Sequence, residues 1–348
     1  MLLSCAPGEA YKRGMIALAT HKSDKTTLVL HAQCDEDIAQ AGDILRRGGL
    51  LAVPTETVYG LAADASNAEA VKAIFTAKGR PADHPLIVHI ASVDALARWA
   101  VNIPPLAYEL AAAFWPGPLT LLLPRAASVP DVVTAGRASI GLRMPAHPVL
   151  LRLLQETGMG VAAPSANPYK RLSPTSAAQV LAGLNGRIDA VLDGGDCQVG
   201  LESTILDMTG EELRILRSGP VTAAQIAEVA GREVQTPLQH DVAVPGNVAV
   251  HYQPRTPLFV AEREQVLAAR HARGERVAVV LLGDTAGLPE SASVVCMPAQ
   301  KPAYAQALYR TLHELDTLAL EAIWLERPPR ADGWADVHDR LNRAASPL

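Results

Sequence analysis

Residues 49–65 read GLLAVPTETVYGLAADA. The apolar run at 50–54 (LLAVP) has the composition of a buried strand. Directly after it stand Thr55, Glu56, Thr57 and Tyr59, and Gly60 then breaks the pattern. A loop that only has to turn draws on Gly, Pro, Asn or Asp. Hydroxyls and a carboxylate at the end of a buried strand raise the question of what they are for beyond turning the chain.

Outward from this stretch, residues 28 to about 220 alternate short apolar runs with helical patterns. LVLH (28–31) and LLAVP flank a helix carrying Ile38, Ile44 and Leu45. Asn67 reads as an N-cap with Glu69 in the first turn, where a carboxylate is favoured. Val71, Ile74 and Phe75 repeat at helical spacing up to Lys78 and Gly79. PLIVHI and LTLLLP read as strands, with PPLAYELAAAF as a helix between them. SIGLRMP alternates, placing Ile140, Leu142 and Met144 on one face and Gly141 and Arg143 on the other. HPVLLRLLQETG is a helix stopped at Gly158, and TAAQIAEVAG a helix capped by Thr222. Further strand-like runs are GVAAPSAN, AVLDGG, ESTILDM and LRILRSG. Without a strict β-α-β rhythm, the expectation is an α/β fold whose sheet mixes parallel and antiparallel pairs.

The texture changes near residue 232. Residues 233–256 are rich in Pro, Gly and polar residues without a period, as in a linker or an ordered lid. Beyond them PLFVA, RVAVVLLG, SVVCMPA and AIWLERPP are strand-like, with helical stretches such as YAQALYRTLHELD and ADVHDRLNRAA. That is a small Rossmann-like α/β domain. The expected division is an N-terminal extension at 1–23, a catalytic domain at 24–232, the linker or lid at 233–256 and a C-terminal domain at 257–348.

Composition narrows the class. Of 348 residues, 49% are hydrophobic and 19% charged, enough apolar material to bury a core. The net charge of -5 gives no overall attraction to nucleic acid or anionic lipid, so any anion site is local. Cys5, Cys34, Cys197 and Cys296 have no C-x-x-C spacing, which argues against a disulfide framework or zinc site. No secretory signal or membrane-length apolar run is visible, and a cytoplasmic setting is expected.

Standard motifs are missing: no G-x-x-x-x-G-K-[ST], no G-x-S-x-G and no H-E-x-x-H. GMGVAA (158–163) follows a helix and enters a strand, the reverse of a dinucleotide fingerprint. What remains is a dispersed polar set. Lys78 and Arg80 flank Gly79 at a helix end, where a dipole-compensating role competes with polyanion binding. Arg143 stands beside Gly141, and His89 shares a strand face with Ile87. Ser165 and Asn167 point the same way if extended. Glu202, Ser203 and Thr204 head an apolar strand, and Arg217 ends another. Several cations and many hydroxyls without a nucleophile–base pair suit activation by positioning and charge better than covalent catalysis.

PTETVYGLAADA, KGRPADHPLIVHI, WPGPLTLLL, GLRMP, APSAN with SPT, GLESTILD and ILRSGP occur in that order over residues 28–230. Together they resemble the threonylcarbamoyl-AMP synthase family, built on the YrdC-type domain. PGNVAVHYQPRTP and the C-terminal part resemble its longer, two-domain form. The resemblance implies a twisted sheet with a concave basic cleft. It also implies joining of ATP, L-threonine and bicarbonate into threonylcarbamoyl-AMP and pyrophosphate, with Mg2+ accompanying ATP. The product would feed tRNA threonylcarbamoyladenosine formation through downstream transfer proteins.

By the same resemblance, Lys78 and Arg80 are the expected catalytic cations on the ATP phosphates. Ser139, Ser165, Asn167, Ser173, Arg217 and Tyr252 join them around the nucleotide. Thr55, His89, Arg143, the backbone at Ala163, and Ser203 would hold threonine. Thr57 and Tyr59 would shape the cleft, Thr120 is a weaker candidate, and no protein side chain is assigned to metal. Residues 245–254, with His251 and Tyr252, are the expected lid. Two departures stand out: NPYKRLSPT replaces a smaller loop after SAN, and PGNVAVHYQP lacks basic residues between PG and HY. The competing reading is a double-stranded RNA or tRNA-binding module without catalysis; the expectation includes at most weak RNA affinity. A weaker third reading is carbamoyl transfer to another acceptor.

Overall fold

The computed structural model describes residues 26–237, 240–246, 250–285, 287–331 and 333–347. The extension at 1–23 with Cys5, and Asn247, Val248 and Ala249 of the expected lid, lie outside the described residues. No helix among the described residues is long and apolar enough to cross a membrane.

An eleven-stranded sheet carries the first part of the chain. Its order is Leu28–His31, Ala190–Asp193, Leu51–Val53, Gly60–Asp64, Val161–Ala162, Ile87–His89, Ser139–Arg143, Leu119–Pro124, Thr204–Asp207, Leu213–Arg217 and Val234–Gln235. Parallel pairs such as Ile87–His89 with Ser139–Arg143 alternate with antiparallel ones such as Leu51–Val53 with Gly60–Asp64. The sheet is mixed, as the sequence pattern predicts.

Local chemistry sets the helix ends. The Asn67 side chain accepts hydrogen bonds from the Glu69 and Ala70 amides, opening the helix Ala68–Lys78. Gly79 closes it in the left-handed conformation, and Thr222 forms a capping box with Gln225 on Ala223–Ala230. Ile74, Phe75, Leu110, Val180 and Ile226 on these and neighbouring helices form the main core with Leu121, Leu123, Ile140 and Leu142 of the sheet. The reverse face of the central strands carries Ile87, Leu122, Ile205 and Leu216. Val244, from the segment after the sheet, lies on that face with them. The alternation in SIGLRMP thus separates a core side from a cleft side.

The strand Gly60–Asp64 carries no strand signal in its sequence, GLAAD. Its residues Gly60 to Ala63 are buried, so the strand shows no polar–apolar alternation, and it contains no β-branched residue.

The second domain has four parallel strands, ordered Leu258–Ala261, Ala322–Glu326, Val277–Leu282 and Val294–Met297. The helices Arg263–Arg273, Lys301–Asp316 and Ala335–Ala344 accompany them. Its core is continuous with the first domain: Val58, Leu172 and Leu201 pack with Tyr252, Tyr309 and Leu312. The approach is close at Gly200 (φ +84), where a Cβ would stand 2.5 Å from the Gln306 Cα. Val58, from the opening stretch, is therefore part of the interdomain seam.

Candidate active site

A cleft on the reverse face of the sheet is lined by Thr55, Thr57, Arg80, His89, Arg143, Ala163, Ser165, Glu202, Ser203, Arg217, Gly246, His251 and Tyr252, among others. It encloses about 50 Å³. Strand pairing explains the convergence, since His89 stands in register with Arg143 on the adjacent parallel strand. Ser203 immediately precedes the strand Thr204–Asp207, and Arg217 ends the next one.

The opening stretch builds one wall. Thr55 Oγ donates to the Val58 carbonyl at 2.6 Å and accepts from the Thr57 and Val58 amides at 3.1 Å. That hydroxyl folds the loop back on itself. Glu56 reaches Arg143 Nη2 at 2.5 Å and accepts from the Ala146 amide at 3.0 Å. Arg143 also donates to the Gly117 carbonyl and the Thr57 hydroxyl. Tyr59 does not shape the cleft as expected. Its hydroxyl turns to the Gly195 carbonyl at 2.8 Å, and its ring joins the core, because the chain bends over residues 56–58 and the facing of Thr55 and Thr57 does not carry through to Tyr59.

The cations have distinct environments. Lys78 is buried, and its Nζ donates to the carbonyls of Asn167, at 2.6 Å, and Ser165. Burial, with Arg80 nearby, holds its pKa well below the ordinary lysine value. Burial also brings Arg80 down to about 10, and its Nε has no partner among the described residues. Arg217 donates to the Ser203 carbonyl and hydroxyl at 3.0 Å each, and to the Pro245 carbonyl at 3.1 Å. The Ser203 hydroxyl also lies 2.8 Å from Thr120 Oγ.

Burial and the Arg143 charge hold the pKa of His89 well below the ordinary histidine value, and its Nδ1 has no partner among the described residues. His251 is driven down to about 3, chiefly by burial. Cys197, buried nearby with its thiol pushed up to about 12, is no nucleophile at neutral pH.

Other expected residues sit around this cleft without lining it. Ser139 borders a small adjoining cavity with Arg137, Val244 and Pro245. The Ser173 hydroxyl donates to Glu202 at 2.6 Å. Asn167 fixes its own loop through Nδ2 and borders a separate interdomain cavity. Glu202 is functionally placed, although its sequence neighbours assign it no role, because its partners come from distant sequence. Burial pushes its carboxyl upward, yet Arg340, Arg217 and the Ser173 hydroxyl prevail and hold it at about 2. Glu202 in the lining and Glu56 beside Arg143 are both engaged by arginines. No group of three His, Cys, Asp or Glu among the described residues suits a metal ion.

Residues 43–219 match the Sua5/YciO/YrdC family model, described as "Telomere recombination". Residues 221–346 match that of the threonylcarbamoyl-AMP synthase C-terminal domain. A threonylcarbamoyl-AMP synthase of Pyrococcus abyssi is 37% identical, covering 88% of this chain and 93% of its own. That of Bacillus subtilis is 39% identical, covering 89% and 93%. Among solved structures, P. abyssi Sua5 complexed with L-threonine has a TM-score of 0.84 at 36% identity, covering 92% of this chain and 97% of its own. The fold is that of a two-domain α/β enzyme of the nucleotidyl-transfer type. The chain belongs to the threonylcarbamoyl-AMP synthase family.

Proposed function

We propose that the chain condenses L-threonine, bicarbonate and ATP into threonylcarbamoyl-AMP and pyrophosphate, the precursor for threonylcarbamoyladenosine in tRNA. The observation that carries this reading is the placement of Arg80, Arg143 and Arg217 around one cleft in a chain of net negative charge. ATP carries about four charges, and two unit charges about 4 Å apart repel by about 4 kcal/mol at an effective dielectric of 20. A carbamate approaching the α-phosphorus needs clustered positive charge, and this cleft concentrates it.

In this reading Arg143 receives the threonine carboxylate. Its Nε and Nη2 have protein partners, while no protein bond is seen at Nη1 among the described residues. Lys78, Arg80 and Arg217 face the phosphates of the magnesium nucleotide. Threonine's amine and bicarbonate give a carbamate with loss of water; a carbamate oxygen then attacks the α-phosphorus in line, and pyrophosphate leaves. The lid with His251 and Tyr252 keeps water from the carbamate and the mixed anhydride. An arriving anion would favour the charged form of Lys78 that burial alone disfavours, and no covalent enzyme intermediate is needed.

The test is pyrophosphate release with ATP, magnesium and each amino acid in turn. Release that requires both bicarbonate and L-threonine, and that Lys78→Ala abolishes, is expected. No release with any amino acid, alongside salt-sensitive RNA binding, would sink this reading in favour of a nucleic-acid groove.

A further inference from the structure

The cleft is built for a polyanion, yet Glu202 lies in its lining. An uncompensated carboxylate there would repel the nucleotide and compete with it for Arg217, the neighbouring cation. Ser173 Oγ donates to Glu202 Oε1 at 2.6 Å, while Arg340 Nε and the Tyr309 hydroxyl reach Oε2 at 2.7 and 3.2 Å. Only Arg340 brings charge to that set, and it comes from the other domain, 138 residues along the chain. Its side chain is fully buried, and Nη1 donates to the Ser218 carbonyl at 3.0 Å and to Asp339. Its guanidinium also sits 5.3 Å from the centre of the Tyr252 ring.

We propose that Arg340 is a positioning residue for the reaction: from the second domain it neutralises Glu202, so that the Arg217 charge is not drawn to that carboxylate and acts on the nucleotide phosphates. The inference rests on the cleft being the nucleotide site, as argued above. It assigns the second domain a direct electrostatic share in substrate binding. In Arg340→Met, Glu202 keeps only neutral donors besides Arg217. The guanidinium of Arg217 would then be drawn to the carboxylate, and ATP would meet one fewer cation and one more anion. Threonine, held at Arg143, would be affected far less, since Arg143 is tied to Glu56 instead.

The test is steady-state pyrophosphate release in the full chain, varying ATP and threonine separately. Arg340→Met is expected to raise the KM for ATP about tenfold or more and that for threonine less than about threefold. The double variant Glu202→Gln with Arg340→Met removes both charges of that buried pair together. It is expected to return the KM for ATP to within about threefold of the unaltered chain. Where Arg340→Met does not fold, the double variant decides alone. An unchanged KM for ATP in Arg340→Met with only kcat lowered would make the role structural, and a double variant with KM still raised would overturn charge cancellation. Pyrophosphate release by the unaltered chain tests the underlying reading, whereas only ratios between variants test Arg340.

Discussion

Arg143 and Glu56 form a buried ion pair, Nη2 to Oε1 at 2.5 Å, across 87 residues of sequence. The strand Ser139–Arg143 delivers the guanidinium, and the loop after Leu51–Val53 delivers the carboxylate. Glu56 is in turn fixed by the Ala146 amide, so the guanidinium plane is locked before any ligand arrives. A lysine keeps the charge but not the planar fork. Arg143→Lys is therefore expected to raise the KM for threonine about tenfold or more, with the KM for ATP changing much less. Equal loss on both substrates would remove Arg143 from the threonine side.

Lys78 supplies a second prediction. Its Nζ bonds the carbonyls of Asn167 and Ser165, and no carboxylate bonds it among the described residues. An arginine in that buried slot adds bulk where the packing has none to spare. Lys78→Arg is expected to lower kcat/KM for ATP about a hundredfold and to destabilise the fold by about 1–3 kcal/mol. Kinetics together with urea unfolding would check both, and near-normal activity in this variant would mean that only charge matters at the site.

How far the sequence carries these conclusions varies with the range of the interaction. Asn67, Gly79, Gly158 and Thr222 are legible as helix ends because each cap acts on the next turn. The facing of Arg143 away from Ile140 and Leu142 follows from period-two geometry. Glu202, Tyr309 and Arg340 are not legible as a set, because domain docking alone brings them together. Tyr59 reads as a wall residue and faces the core, since polarity in a sequence does not say which side of the strand end a hydroxyl takes.

Acid stability follows from His251 and Glu202. The pKa of His251 falls from an ordinary 6.5 to about 3, and that of Glu202 from 4.5 to about 2. Below 6.5 the unfolded chain binds a proton at His251 that the folded chain refuses. The stabilisation is thus complete above 6.5 and lost as the pH falls towards 3. Glu202 extends the loss from 4.5 down to about 2. The slope from one such group is at most about 1.4 kcal/mol per pH unit. His251→Gln is expected to flatten the fall in melting temperature between pH 6.5 and 4, and an unaltered slope would mean that His251 does not govern this window.

Gly246 offers the last prediction, for the expected lid. Its φ is +84, and a Cβ there would collide with the Tyr252 hydroxyl and stand 3.3 Å from Arg217 Cδ. An alanine would meet backbone strain of about 1 kcal/mol and also push apart the tyrosine and arginine that close the cleft. Gly231, with φ +61 as a helix cap, has nothing within 4 Å of where a Cβ would lie, and so shares the strain without the clash. Gly246→Ala is expected to cut pyrophosphate release about tenfold or more, while Gly231→Ala loses only stability, by about 1 kcal/mol. Because both variants carry the same backbone penalty, the difference between them isolates closure over the cleft. Equal activity in the two would show that Pro245, Gly246 and Tyr252 do not need to seat against Arg217 for the reaction to proceed.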